Sequence, residues 1–146
     1  MAKVRFHTAD RRLQIPGKRQ LKECIESIFA KEKRPLAAIG YIFCSDEYLL
    51  RMNREFLAHD YLTDIITFPL SPTNEPVEAE IYISIDRVKD NASELGQPYQ
   101  SEILRVIFHG ALHLCGYRDK MKSEIAVMRK KEDQYLRLFE KIKMNV

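Results

Sequence analysis

Val106-Ile107-Phe108-His109-Gly110-Ala111-Leu112-His113-Leu114-Cys115-Gly116 sets two imidazoles four residues apart in a run that is otherwise almost wholly apolar. Residues i and i+4 of a helix lie one above the other on the same face, so both rings can point at one cation. Histidine pairs at this spacing also occur as satisfied core residues, and the pair alone does not separate the two readings. Gly116 can end the helix in a left-handed conformation and turn the chain back, and Asp119 follows three residues on. The pattern becomes His-x-x-x-His-x-x-Gly-x-x-Asp. Three protein ligands leave a tetrahedral zinc one position open for water, which distinguishes a catalytic zinc from a structural one.

A helix that is apolar on nearly every side belongs in the middle of a fold, and the chain can be read outward from it. Pro98 opens this helix, which runs to Cys115. Before it come a strand, Ala79 to Ser84, and a helix from Asp86 to Leu95 stopped by Gly96. After it a helix from Lys122 to Lys143 carries Ile125, Met128, Tyr135, Leu138, Phe139 and Ile142 as a core stripe. Toward the N-terminus, residues 2–8 alternate as a strand, with Val4 and Phe6 inward and His7 outward. Residues 18–33 form a basic amphipathic helix ending before Pro35, with Leu21, Cys24, Ile25, Ile28 and Phe29 at helical spacing. Residues 37–44 are a strand apolar on both faces and hence central. Ser45 caps a helix with Asp46 and Glu47 in its first turn and Leu49, Leu50, Met52 and Phe56 toward the core. Thr63 to Pro69 is a short strand, and Pro72 to Pro76 a turn or surface loop. The expectation is an α+β fold in which a small mixed sheet of about four strands packs with about five helices, one of them a metzincin-like metal helix.

With 146 residues, 45% hydrophobic and 31% charged, the chain reads as one globular domain, residues 1–146. No apolar run approaches a membrane span and no signal-peptide core follows Met1, so a cytoplasmic protein with no membrane partner is expected. Cys24, Cys44 and Cys115 are odd in number and in apolar contexts, as reduced core residues are. The net charge of +3 is uneven: residues 1–34 hold ten Lys or Arg against four acids, 35–101 four against eleven, and 102–146 ten against six. Basic ends with an acidic middle suit a polyanion gripped by terminal segments around a central metal, and solvated helix faces give the same counts.

The residues from His109 to Asp119 follow the metzincin layout with one substitution that matters: Gly110 stands where a zinc protease carries its general-base glutamate. A peptidase reading is weakened accordingly. Gly110 also costs about 1 kcal/mol relative to alanine inside a helix, which close approach of another backbone would explain.

His109-Gly110-Ala111-Leu112-His113-Leu114-Cys115-Gly116-Tyr117, Asn53 followed by Thr63-Asp64-Ile65-Ile66-Thr67-Phe68-Pro69, and Glu80-Ile81-Tyr82-Ile83-Ser84 together resemble the YbeY family of bacterial ribosomal-RNA maturation endoribonucleases, across nearly the whole chain. Two departures stand out. Asp119 replaces the family's third histidine, a competent ligand that also suits ferrous iron. Leu57 occupies the position where the family favours an arginine; Arg105 and Arg118 are candidates for a phosphate-binding role on position alone. The resemblance implies a metal-dependent endoribonuclease of single-strand type, acting in rRNA processing and small-subunit maturation, with ribosomal RNA and the small ribosomal subunit as partners. His109, His113 and Asp119 would hold one divalent ion, Zn2+ first among the choices, with Asp64 catalytic as an orienting residue or proton acceptor and Glu80 a weaker candidate. The alternatives are a non-catalytic, metal-containing ribosome-assembly factor that binds RNA, and a metal-dependent hydrolase of another substrate.

Overall fold

The computed structural model describes residues 3–145. In chain order the elements are β1 (Val4–Thr8), α1 (Lys18–Lys31), β2 (Leu36–Cys44), α2 (Asp46–Leu57), β3 (Ile65–Pro69), β4 (Val77–Ser84), α3 (Ile85–Leu95), α4 (Tyr99–Leu114) and α5 (Lys122–Met144). The mixed α+β architecture expected from the sequence is what forms. The sheet order is β1-β2-β4-β3, with β1, β2 and β4 parallel and β3 antiparallel to β4. β2 is interior, as its two apolar faces require. Residue 2 of the first expected strand lies outside the described residues.

Side-chain parity along β4 decides which face holds the site. Val77, Ala79, Ile81 and Ile83 enter the main core with α1, α3, α4 and α5, whereas Tyr82 joins a smaller cluster with Cys44, Leu49 and Ile66 beneath α2. Ser45 and Ser84, the residues that follow β2 and end β4, cap α2 and α3 by accepting from the Tyr48 and Arg87 backbone N–H groups. α4 is buried from Glu102 to Phe108 and from Gly110 to Leu112, apart from the half-buried Arg105. That is the central helix its composition demands.

Two helix faces depart from expectation. Phe56 and Ile125 lie on the apolar stripes of α2 and α5 but are 63% and 44% exposed, and Leu50 and Met52 are only half-buried. A 3.6-residue period identifies a face, but the end of that face can project past its partner. Cys24 and Cys44 are buried thiols and Cys115 is half-buried, all free. No helix among the described residues is long and apolar enough to cross a membrane.

Candidate metal centre

The site grows out of the way α4 ends. Gly116 has φ 104°, a conformation that disfavours any side chain. Its N–H donates to the His113 carbonyl at 3.0 Å and the Tyr117 N–H to the Leu112 carbonyl at 3.1 Å. This double closure is a Schellman motif, and it folds the following segment back along the helix. Two groups arrive as a result. The Tyr117 carbonyl accepts a hydrogen bond from His113 Nδ1 at 2.9 Å, and the Asp119 carboxylate comes to rest against both rings, with Oδ2 3.1 Å from His109 Nε2 and 3.4 Å from His113 Nε2.

The hydrogen bonds of the two Nδ1 atoms fix which ring nitrogens face the shared space. Glu132 of α5, 3% exposed, receives His109 Nδ1 at 2.7 Å on Oε2. A carboxylate and a carbonyl only accept, so both Nδ1 atoms carry the hydrogen and both Nε2 atoms present lone pairs. His109, His113 and Asp119 thus aim three electron-rich atoms, all within 4.8 Å of one another, at one point. Such an arrangement repels itself unless a cation lies between. Tetrahedral ligands at metal bond lengths of about 2.0–2.1 Å sit roughly 3.3 Å apart, close to the two carboxylate separations above. The donor set, nitrogen and oxygen with oriented imidazoles, therefore fits a divalent transition metal.

Burial pushes His109 down, but the hydrogen bond and charge of Glu132, with Asp119 and Asp64, hold it above its ordinary value. Asp64, just before β3, lines a cavity of about 310 Å³ together with His109, Asp119 and Glu132. Burial raises its carboxyl above the ordinary range, as suits a group that exchanges protons. Glu102 lines the same cavity and is raised for the same reason.

The other candidates fall elsewhere. Glu80 points to the sheet face opposite α4, accepting from the Tyr82 hydroxyl at 3.2 Å, because it is out of phase with Ile81. Arg105 reaches the cavity but donates to Glu132 at 2.8 Å and Asp133 at 2.6 Å. Arg118 is exposed on a separate hollow with Ser123 and Val127, and Leu57 ends α2 partly exposed. A larger concavity, about 620 Å³ beside Glu23, Glu26 and Lys33, contains none of the site residues. Gly110 is explained by side chains and not by a neighbouring backbone: a Cβ there would meet Ile65 Cδ1 at 2.9 Å and Ile81 Cδ1 at 3.0 Å. Any side chain there requires the ends of both isoleucines to shift.

A family model described as Endoribonuclease YbeY matches residues 5–140. The chain belongs to the YbeY family. Endoribonuclease YbeY of Cytophaga hutchinsonii is 48% identical over 133 residues, covering 91% of this chain and 93% of the relative. The Porphyromonas gingivalis protein of the same name is 42% identical over 136 residues, 93% and 89% of the two chains. The solution structure of TM1509 from Thermotoga maritima is similar with a TM-score of 0.62 at 28% identity, over 95% of this chain and 88% of that one. In this YbeY member Glu132 is the group bonded to the candidate site that motif reading passed over. Its signal is a carboxylate in phase with Met128, Tyr135 and Phe139, where an apolar residue is the rule.

Proposed function

We propose that this protein is a metal-dependent endoribonuclease that cuts phosphodiester bonds of ribosomal RNA during maturation of the small subunit, in the cytoplasm, with His109, His113 and Asp119 holding one divalent ion, zinc for preference. The observation that carries the reading is the convergence of two Nε2 lone pairs and one carboxylate oxygen with both Nδ1 atoms already engaged. A divalent ion held there supplies a Lewis acid and lowers the pKa of water at neutral pH.

The chain's own residues supply the rest. Glu132 and the Tyr117 carbonyl fix ring orientation and tautomer, and Glu132 strengthens His109 as a ligand. Asp119 brings a negative charge that favours cation binding while making the site less acidifying than three imidazoles. Asp64, with its raised carboxyl, accepts and returns the proton released when water attacks phosphorus. Basic side chains of α1 and α5 hold the sugar-phosphate backbone without regard to sequence. Gly110, between its isoleucine neighbours, supplies no glutamate such as peptide hydrolysis uses.

The test is elemental analysis of the purified protein, followed by cleavage of a structured small-subunit rRNA fragment by wild type, EDTA-treated protein and His113→Ala. One equivalent of metal and cleavage abolished by either treatment are expected. Undiminished cleavage by metal-free His113→Ala refutes the mechanism, and metal-loaded protein that binds RNA without cutting it points to an assembly factor.

A further inference from the structure

We propose that Arg129 is a phosphate-binding residue that anchors the RNA beside the metal centre, in the cleft between α4 and α5; the inference rests on the endoribonuclease reading. Charge balance raises the question of what such an anchor must be. The cavity that contains His109 is lined by four carboxylates, those of Asp64, Glu102, Asp119 and Glu132, and by two guanidinium groups, those of Arg105 and Arg129. Even with a dication bound, that wall has no surplus positive charge for a polyanionic strand. Any phosphate contact has to come from a cation whose hydrogen bonds are not already committed.

Arg105 is committed. Two of its nitrogens donate to Glu132 and Asp133, and its side chain is 23% exposed. Arg129 differs in each respect. It is 57% exposed, and its nearest acid, Glu132 Oε1, lies 3.6 Å away, beyond hydrogen-bond reach and already taken by Arg105 at 2.8 Å. Among the described residues its guanidinium makes no hydrogen bond, so its planar fork of five donors is available for phosphate oxygens. Glu132 steadies the charge electrostatically without consuming the donors.

Position adds a second argument. Arg129 lines both the cavity around His109 and a neighbouring one of about 350 Å³ shared with Gln97, Ser101, Arg105 and two acids, Glu102 and Asp133, the latter already paired with Arg105. The two hollows share Glu102, Arg105 and Arg129 and so adjoin along the α4–α5 boundary. A strand with one phosphodiester at the metal would lay its next phosphate along these hollows, past Arg129.

The experiment titrates a fluorescein-labelled single-stranded 12-nucleotide RNA into EDTA-treated wild type, Arg129→Ala, Arg129→Lys and the control Arg51→Ala, an exposed arginine of α2. Anisotropy is read from low to moderate salt, and cleavage by the metal-loaded proteins is assayed in parallel. Loss of one charged hydrogen-bonding contact weakens RNA binding about tenfold and lowers the magnitude of the salt slope by about 0.7, the single-strand value for one phosphate. Arg129→Lys recovers part of the affinity, Arg51→Ala retains most of it, and all four take up one equivalent of Zn2+. Arg129→Ala that binds with wild-type affinity and salt slope overturns the proposal, as does wild-type protein with no salt-sensitive RNA binding. Wild type that binds RNA through Arg129 but fails to cleave it defeats the hydrolytic reading alone.

Discussion

Replacing Glu132 by glutamine isolates what the buried carboxylate does. Glu132 accepts from His109 Nδ1 at 2.7 Å with one oxygen and from Arg105 Nη1 at 2.8 Å with the other, at 3% exposure. Glutamine keeps the volume, so no cavity forms and the packing of α5 on α4 is retained. It has a single carbonyl oxygen, however, and its NH2 group must then face an N–H of either His109 or Arg105. Whichever way the amide turns, one charge-assisted hydrogen bond is lost and the other weakens by about half. Arg105 retains Asp133 at 2.6 Å, so the amide oxygen turns to His109 at the expense of the Arg105 contact, or to Arg105 at the expense of the imidazole's tautomer. Outer-shell partners of a metal-binding imidazole are worth about 10–100-fold in affinity, or roughly 1.4–2.7 kcal/mol. The metal-free fold should lose about 1.5–3 kcal/mol, the range for hydrogen bonds to charged groups. Chelator competition for Zn2+ measures the first quantity and urea unfolding in EDTA the second. A folded Glu132→Gln protein that binds Zn2+ within about twofold of wild type refutes the assignment of Glu132 as the support of His109.

Three further outcomes follow from the same structure. Burial raises the Asp64 carboxyl above its ordinary 3.8, so its contribution to stability is present when it is protonated and is lost as pH rises through the folded-state value. Asp64→Asn is therefore expected to melt higher than wild type at neutral pH in EDTA, with the difference vanishing in acid, while turnover falls about 10²-fold or more; thermal melts across pH and single-turnover cleavage check both halves. Burial also pushes Glu32 up, but hydrogen bonds from Tyr117, Tyr135 and Lys131 outweigh it and hold the carboxyl below its ordinary 4.5. This stabilisation is present above the unfolded value and disappears as pH falls through the folded one, so Glu32→Gln should flatten the acid limb of the stability profile below the ordinary value of 4.5. Gly110→Ala gains about 1 kcal/mol of helix propensity but overpacks against Ile65 and Ile81 by about 1–3 kcal/mol, for a small net loss by urea titration, whereas Gly110→Glu should fail to fold and should acquire no peptidase activity.

What could be read from the sequence was whatever one element decides by itself. His109, His113, Gly116 and Asp119 fall within one helix end, and the Schellman turn that brings Asp119 back follows from Gly116 at C′. The central placement of β2 and α4 followed from apolar residues on every face. Two contacts required the tertiary pairing of distant segments. Glu132 meets His109 across 23 residues, and Glu32 meets Tyr117 across 85; neither offset has a local signature, although a lone acid on the core stripe of α5 was a clue. Glu80 could have been excluded by strand parity once Ile81 was placed against α4. Phe56 and Ile125 were misplaced because periodicity gives the direction of a face and not the extent of what covers it.

Glu132 also carries a consequence for timing. It lies C-terminal to His109, His113 and Asp119, so during synthesis all three candidate ligands leave the exit tunnel before the carboxylate that orients the first of them. Until α5 docks on a nascent chain, the His109 ring has no carboxylate to fix its orientation or tautomer.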